Sequence, residues 1–250
     1  MRDHMFNPNK LKLFIALFCL AILSGCAAKQ IDPIPYSHQT LAADNQRIGI
    51  ISSALPETDM TYPGADCLLC MGAASAMNSS LSSHAETIDA SELYQVKNDI
   101  AEVLTKQGKA VVVLDQHIDI DSLEDHSSKL PNVSDKSFRS FANNDNLTHL
   151  LVLDFDYIGF QRKYAAYIPT SDPFARVNAR AFLVDTNTNE YQWYLPLNIT
   201  QAANGEWDEP DNNFPGLTNA LYQALAKTRE SMQSPLAQQT VEEPSKLVTE

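Results

Sequence analysis

The sequence predicts an α/β (α+β) fold, a single mixed β-sheet with flanking helices in the order β-α-α-β-α-β-β-β-α. Three observations lead to this prediction. The Val-rich run at residues 110–114 is typical of a buried strand. A helical pattern with one apolar face precedes this run and ends at Gly108. The turn-forming residues 186–189 join two further strand patterns, as in an antiparallel hairpin.

The first 25 residues have the layout of a secretory signal. Basic residues precede an apolar run of 11 residues at 13–23, and the small residues Ser24 and Gly25 stand directly before Cys26. A membrane-spanning helix needs about 20 apolar residues, so the run is too short to be one. A buried core helix or an uncleaved anchor is the alternative interpretation of the same pattern.

The tetrapeptide at residues 23–26, Leu-Ser-Gly-Cys, resembles the lipobox of bacterial lipoproteins. The resemblance implies a lipoprotein signal peptide at residues 1–25, cleavage before Cys26, and lipid such as palmitate on the Cys26 thiol. Ala27 stands where lipoproteins of the inner membrane carry Asp. The resemblance therefore implies an outer-membrane lipoprotein whose domain faces the periplasm.

The charge of the chain limits its partners. The whole chain has 18 Lys and Arg against 31 Asp and Glu, a net charge of −13. Removal of residues 1–25 leaves 15 basic against 30 acidic residues, a net charge of −15. Nucleic acids and anionic lipid headgroups would repel such a surface. We therefore predict no nucleic-acid partner, and membrane attachment only through the lipid on Cys26.

The first half of the mature chain starts with a predicted tether. Residues 26–46 contain Pro33 and Pro35 and show no sustained period, which predicts a flexible segment. A folded domain is predicted at 47–233. Its first elements are a strand at 48–53, a loop at 55–64 and a helix at 67–83 that Asp66 caps. A second helix starts near Asp89 and runs to 107. The strand at 110–114 is apolar on both faces and is therefore expected at the centre of the sheet.

The second half of the domain contains more strand patterns. A polar, acidic loop is predicted first, and a disordered acidic tail is predicted last, at 234–250. Between them we predict a short helix at 133–144, strands at 149–158, 176–185 and 190–200, a loop at 204–215 and a helix at 217–232.

The cysteines form one pair once the signal is removed. Of four Cys, Cys19 leaves with the signal and Cys26 carries lipid, so Cys67 and Cys70 remain. An even remainder in an oxidising compartment favours a disulfide. Because a helix start stabilises a thiolate, a redox-active CxxC is a second interpretation. A metal site needs four ligands, and His84 is the nearest additional ligand type.

Carboxylates offer no recognisable catalytic motif. Asp119, Asp121, Glu124 and Asp125 lie in an acidic loop that lacks the twelve-residue pattern of a calcium loop, so a solvated loop is predicted. Asp154 and Asp156 alternate on a strand, so they share one face. Paired carboxylates can do acid–base work or bind metal, but these two can equally face solvent or meet Arg162, Lys163 or Arg180. Without nucleophile, zinc or phosphate-loop motifs, we predict a protein that is not an enzyme and that has no cofactor and no metal.

An aromatic and basic segment is the candidate partner surface. Residues 157–174 combine aromatic rings with Arg and Lys, a composition enriched at protein interfaces. The alternative is a long hairpin whose rings cover the edge of the core. The residues predicted to bind a partner are Tyr157, Phe160, Arg162, Tyr164 and Tyr167.

The element order over residues 47–233 resembles small periplasmic lipoproteins with a TolB-N-terminal-like α/β domain. That group includes penicillin-binding-protein activator lipoproteins and curli-secretion lipoproteins. The resemblance implies a non-catalytic binding or assembly factor for an envelope complex, with a protein partner in the cell envelope. A thiol-active protein using Cys67 and Cys70, or a subunit of an outer-membrane secretion assembly, are the alternatives. The oligomeric state is not predicted.

Overall fold

The computed structural model describes residues 31–42, 45–128 and 130–237. These residues form one six-stranded mixed sheet, a separate two-stranded hairpin and five α-helices, which confirms the predicted fold class. The strands are β1 Arg47–Ser52, β2 Asp59–Thr61, β3 Ala110–His117, β4 His149–Gln161, β5 Tyr164–Ala165, β6 Ile168–Pro169, β7 Phe174–Asp185 and β8 Tyr191–Ala202. The α-helices are α1 Leu68–Met77, α2 Ser79–Ala85, α3 Val96–Lys106, α4 Arg139–Asp145 and α5 Pro215–Ala237, with 3₁₀ turns at His38–Leu41, Ser91–Gln95 and Pro210–Asn212.

The sheet is built around the 13-residue strand β4. The strand order is β3-β1-β4-β7-β8, and β2 pairs with the last three residues of β4. Strands β1, β2, β3 and β4 are parallel, and the long strands β7 and β8 continue the sheet in antiparallel pairing. Successive side chains of β4 enter opposite faces, so Leu151 and Leu153 belong to one core and Leu150 and Val152 to the other.

Helices cover the two faces of this sheet unequally. On one face, α3 and α5 pack against each other and form most of the larger core with β3, β7 and β8. On the other face, Phe138 and Phe141 from the α4 region pack around Phe182 of β7. The predicted helix that ends at Gly108 is correct in its apolar face, because Val96, Ile100 and Leu104 are buried, and Gly108 has the positive φ of a helix C-terminus.

Strand β3 lies at one edge of the sheet, so its predicted central position is wrong. Its Val-rich run is apolar on both faces for another reason. Val111 packs against the larger core and Leu114 against the smaller one, so both faces are covered although only β1 pairs with the strand. A strand is apolar on both faces when other residues cover both faces, whatever the number of strands that pair with it.

The predicted helix at 67–83 is divided in two at Asn78. The Asn78 amide donates hydrogen bonds to the Ala74 carbonyl and to the Tyr164 hydroxyl, each 2.7 Å long. Cys67, and not Asp66, caps the first helix, since its sulfur accepts the hydrogen bond of the Cys70 backbone N–H at 2.9 Å. A tertiary hydrogen bond therefore sets the break in this helix, which no local pattern indicates.

Residues 32–42 pack against the domain, so the prediction of a flexible segment is wrong for this part of 26–46. Ile34 and Tyr194 exchange two backbone hydrogen bonds of 2.9 and 3.0 Å in an antiparallel bridge. The Tyr36 ring meets the Trp193 ring edge-on, and Leu41 is fully buried. One bridge and one 3₁₀ turn are too short to produce a periodic pattern. We call residues 32–42 the N-terminal strap.

The strap pairs with part of strand β8, which forms the second edge of the sheet. Because the N–H and C=O groups of Tyr194 face the strap, those of every second residue beyond it also point away from β7. The first of these residues is Pro196, which has no N–H to donate. The edge is thus covered at Tyr194 and lacks a donor at Pro196.

The C-terminal helix α5 is longer than predicted. It extends through Pro235 to Ala237, so four residues of the predicted disordered tail at 234–250 are helical. Leu236 is fully buried, and its carbonyl accepts a 2.7 Å hydrogen bond from the Gln107 side chain. These contacts hold the last turn where Pro235 lacks its backbone donor. The rest of the tail lies outside the described residues.

The predicted turn at residues 186–189 is confirmed, and two small elements were missed. Asp185 accepts hydrogen bonds from the backbone N–H groups of Asn187 and Thr188, and Asn189 has a positive φ. Strand β2 lies inside the predicted loop at 55–64, and the β5–β6 hairpin lies inside the aromatic segment.

No described helix is both long enough and apolar enough to cross a membrane. Cys26 and the predicted signal peptide lie outside the described residues.

Candidate functional site

Most of the predicted partner-binding residues are structural. Phe160 and Tyr164 are buried in the larger core. The Tyr157 hydroxyl lies 3.0 Å from the carbonyl oxygen of Asp59 and also bonds the Phe160 carbonyl. Burial raises the pKa of Tyr157 to about 12. The structure thus gives these three side chains structural contacts in place of the predicted partner surface: Phe160 and Tyr164 belong to the core, and Tyr157 on β4 bonds the Asp59 carbonyl of β2.

Arg162 connects three segments of the chain. Its guanidinium donates to the Ser171 carbonyl at 3.1 Å and to the Asn78 side chain at 3.0 Å. The same group lies 4.8 Å from the centre of the Trp207 ring. Of the predicted partner-binding residues, only Tyr167 is largely exposed.

Tyr167 belongs to an exposed apolar surface that the sequence analysis did not identify. The surface consists of two parts, the outer side of α1 and the tip of the β5–β6 hairpin, and its side chains are between 45% and 90% exposed. We call it the apolar surface, and it consists of Leu68, Leu69, Met71, Met77, Tyr167 and Ile168. Its sequence signal is that residues 67–83 contain no Asp, Glu, Lys or Arg in a strongly acidic chain.

The two parts of the apolar surface are held by one segment. The Tyr164 N–H donates to the Pro63 carbonyl at 2.8 Å, and the Ala166 N–H donates to the Gly64 carbonyl at 3.0 Å. A Cβ atom on Gly64, which has a φ of +89°, would overlap the Tyr164 carbonyl oxygen. Only glycine allows this close approach, so the hairpin sits directly against the chain that leads into α1.

The two remaining cysteines lie at the start of α1, beside Leu68 and Leu69. Their Cα atoms are 4.9 Å apart and their sulfur atoms lie within bonding distance. Cys67 is exposed, whereas Cys70 is buried. The pair closes the first turn of the helix and fixes the direction in which the two leucines project.

A groove of about 450 Å³ runs between the loop after β1 and the segment before α3. Leu55, Ile88 and Tyr94 contribute apolar lining, and the carboxylates come from Glu57, Glu86 and Asp89. Hydrogen bonds at 3.0 Å, from the Leu55 N–H to the Tyr94 hydroxyl and from the Thr58 hydroxyl to the Ile88 carbonyl, hold its sides. We call it the acidic groove.

The pKa of Asp89 beside this groove is lowered. The Ser91 backbone N–H and the Ser91 hydroxyl both donate to the Asp89 carboxylate, at 2.8 Å each. Among the described residues, no Lys or Arg forms an ion pair with the three carboxylates of the acidic groove. The groove therefore presents negative charge that no described Lys or Arg neutralises in an ion pair.

Of the three basic residues predicted as possible partners of the β4 carboxylates, Arg180 is the one that pairs with them, and Arg162 and Lys163 do not. Arg180 lies 2.6 Å from Asp154, which is buried, and 3.9 Å from the more exposed Asp156. Burial raises the pKa of Asp156, with the Arg180 charge acting in the opposite direction. Both carboxylates line a cleft of about 230 Å³ together with Asp119 and Asp121. Among the described residues, no three His, Cys, Asp or Glu side chains are grouped to hold a metal ion.

Comparison with known proteins gives solved structures only. No family model matches the chain, and no curated protein matches it. The similar structures include the PelC dodecamer from Paraburkholderia phytofirmans (14% identity, 80% of this chain and 92% of that chain covered, TM-score 0.31). They also include lipoprotein GNA1162 from Neisseria meningitidis (14% identity, 73% of this chain and 96% of that chain covered, TM-score 0.26). A third is protein XCC0632 from Xanthomonas campestris (10% identity, 83% of this chain and 92% of that chain covered, TM-score 0.35). A lipoprotein is thus among the solved structures that this chain resembles.

Proposed function

We propose that this protein is a lipid-anchored, non-catalytic binding and assembly factor on the periplasmic side of the outer membrane. Lipid on Cys26 would hold it there, as the lipobox-like residues 23–26 indicate. The acidic groove is the observation that carries the binding role. Its occupant is a segment of an envelope protein with an apolar side chain flanked by Lys or Arg.

The groove supports this partner chemistry in two ways. Leu55, Ile88 and Tyr94 offer apolar contact area, and Tyr is a frequent energetic centre of interfaces. The carboxylates of Glu57 and Glu86 are exposed and would attract a basic segment over a distance of about one Debye length. The long-range attraction sets the association rate, and the apolar contact limits dissociation.

Photo-crosslinking in intact cells tests this function. A photoreactive amino acid at Thr87, which is exposed between Glu86 and Ile88, is expected to capture an envelope protein. The double variant E57K and E86K should abolish the crosslinked band. A matched variant, E190K and E206K, makes the same charge change at exposed sites away from the groove and should keep it. A band that survives E57K and E86K would overturn the groove as the partner site.

Replacement of Cys26 tests the anchor separately. The Cys26→Ala protein should lose its lipid and leave the outer-membrane fraction, because that lipid is the proposed attachment. A Cys26→Ala protein that stays with the outer membrane after salt washing would contradict the lipid attachment.

Thiol chemistry is a second candidate function, favoured by the arrangement of Cys67 and Cys70. An exposed cysteine at a helix start followed by a buried one is the order in which dithiol oxidoreductases expose their attacking thiol. Mass spectrometry after alkylation of protein from the periplasm tests it. Fully oxidised cysteines that do not exchange with added dithiols would exclude this function.

A further inference from the structure

We infer that the apolar surface lies against the lipid bilayer that holds Cys26, so that the domain touches the membrane with α1 and the β5–β6 hairpin. This inference rests on the lipid attachment proposed above. It concerns a different surface from the acidic groove, which remains available to a protein partner.

The chemistry of the apolar surface suits lipid. Helix α1 buries only Cys70 and Ala74 and exposes large apolar side chains on the rest of its circumference. A helix that is apolar nearly all round is typically covered on every side. The hairpin residues 164–171 also lack charged side chains. Protein interfaces usually provide polar rims and about one hydrogen bond per 100–200 Å², and this surface offers few such groups.

The direction of the N-terminal strap bears on which end of the sheet the lipid on Cys26 can reach. Strand β8 runs from Tyr191 to Ala202, and the strap is antiparallel to it at Ile34 and Tyr194. Asp32 and Pro33, which directly precede Ile34, therefore run toward the Ala202 end of the sheet. Cys26 stands only eight positions before Ile34, and an extended chain of that length spans at most about 29 Å.

The same end of the sheet carries the apolar surface. Ala202 pairs with Phe174, which pairs with Gln161, the residue directly before the hairpin region. From Tyr194 to Ala202 the strand rises about 26 Å, so lipid on Cys26 can reach the level of Ala202 and little farther. Lys163 and Ala202 line one cavity of about 340 Å³, which places the hairpin base beside the end of β8.

The charged residues around the apolar surface indicate which lipid headgroups it suits. Lys163 and Arg162 lie just before the hairpin, and a Lys stem can extend its amine to lipid phosphates while its methylene groups stay in contact with apolar groups. Asp66 directly precedes the uncharged residues 67–83, and Asp172 directly follows the uncharged residues 164–171. With both signs at its border, the apolar surface suits zwitterionic headgroups better than anionic ones.

Fluorescence quenching by brominated lipid tests this inference. The lipidated full chain carrying Tyr167→Trp is reconstituted in phosphatidylcholine vesicles with brominated acyl chains. We expect the added emission to shift to shorter wavelength and to be quenched. Leu130→Trp provides the matched control, since Leu130 is equally exposed, at 64%, on the loop between β3 and α4. The natural Trp193 and Trp207 signals are subtracted with the parent protein.

The outcomes separate the inference from the anchor. Quenching of Tyr167→Trp but not of Leu130→Trp, abolished by L68E with L69E, supports contact of the apolar surface with lipid. Protein that floats with the vesicles but shows an unquenched Tyr167→Trp overturns the inference and leaves the anchor intact. Protein absent from the vesicle fraction overturns the anchor and the inference with it. In cells, capture of a protein instead of lipid by a photoreactive group at Tyr167 also overturns the inference.

Discussion

Arg180 and Asp154 face each other across the β4–β7 pair, with 2.6 Å between the guanidinium nitrogen and the carboxylate oxygen. Asp154 is buried, whereas Arg180 keeps about a third of its side chain exposed. The guanidinium is thus the group that compensates the loss of water around the Asp154 carboxylate. The pair explains why a carboxylate is tolerated on an otherwise buried stretch of β4.

Replacing Arg180 by Leu is expected to destabilise the protein. Asp154 would remain buried without its partner, and we expect a loss of about 2–3 kcal/mol, below the 3–5 kcal/mol of fully buried pairs. Urea denaturation measures the change. The double variant Arg180→Leu with Asp154→Val removes both charges and should regain most of the lost stability. A double variant as unstable as Arg180→Leu would contradict this account of the pair.

Gly64 and Gly72 form a matched pair for the apolar surface. Gly64→Ala places a methyl group against the Tyr164 carbonyl at a positive φ, so we expect a loss of about 2–3 kcal/mol. Gly72 lies inside α1 with open space around it, so Gly72→Ala should gain up to about 1 kcal/mol from helix propensity. Chemical denaturation of the two variants should show shifts of opposite sign. Equal shifts would mean that the close approach at Gly64 is unimportant.

Loss of the Cys67–Cys70 bond should have a small effect on stability. Closing so short a loop contributes about 2 kcal/mol of chain entropy. The variant Cys67→Ser with Cys70→Ser should therefore stay folded, with its midpoint lowered by a few degrees in a thermal scan. Unfolding of the whole domain on reduction would show that the bond supports more than the first turn of α1.

Stability should fall in mild acid because of His149. Burial lowers the pKa of His149 below its ordinary value of 6.5, and the Asp185 charge opposes this shift. The unfolded chain therefore binds the proton more readily than the folded one. The stability from a neutral His149 is present above pH 6.5 and is lost as the pH falls through that value and below it. His149→Gln should lessen the fall in melting temperature between pH 7.5 and 5.5. An unchanged pH dependence would exclude His149 as its source.

The sequence was a good guide where the pattern is local. The turn at 186–189 and the helix ending at Gly108 follow from the conformational preferences of a few adjacent residues. The strap and the break at Asn78 depend on Tyr194 and Tyr164, which lie far away in the chain. Such tertiary contacts leave no periodic signal, so they could not be predicted.

The candidate partner residues show a similar division. Composition singles out residues 157–174 as aromatic and basic, but Tyr and Phe are equally suited to a core edge and to an interface. Burial separates Tyr164 from Tyr167, although they are three residues apart in one small hairpin. The absence of charged residues at 67–83 is the one sequence signal of the exposed side of α1, and a helix prediction alone does not show which side is exposed.

The edge of strand β8 affects how copies of this protein interact when they lie close together. Proteins confined to a membrane surface meet other copies far more often than the same number of molecules in solution. An open 12-residue edge would give every such encounter a chance to continue the sheet from one molecule into the next. The strap occupies this edge at Tyr194, and Pro196 removes the next outward donor. If the domain is anchored as proposed, the strap that links it to Cys26 would therefore also limit edge-to-edge pairing between anchored copies.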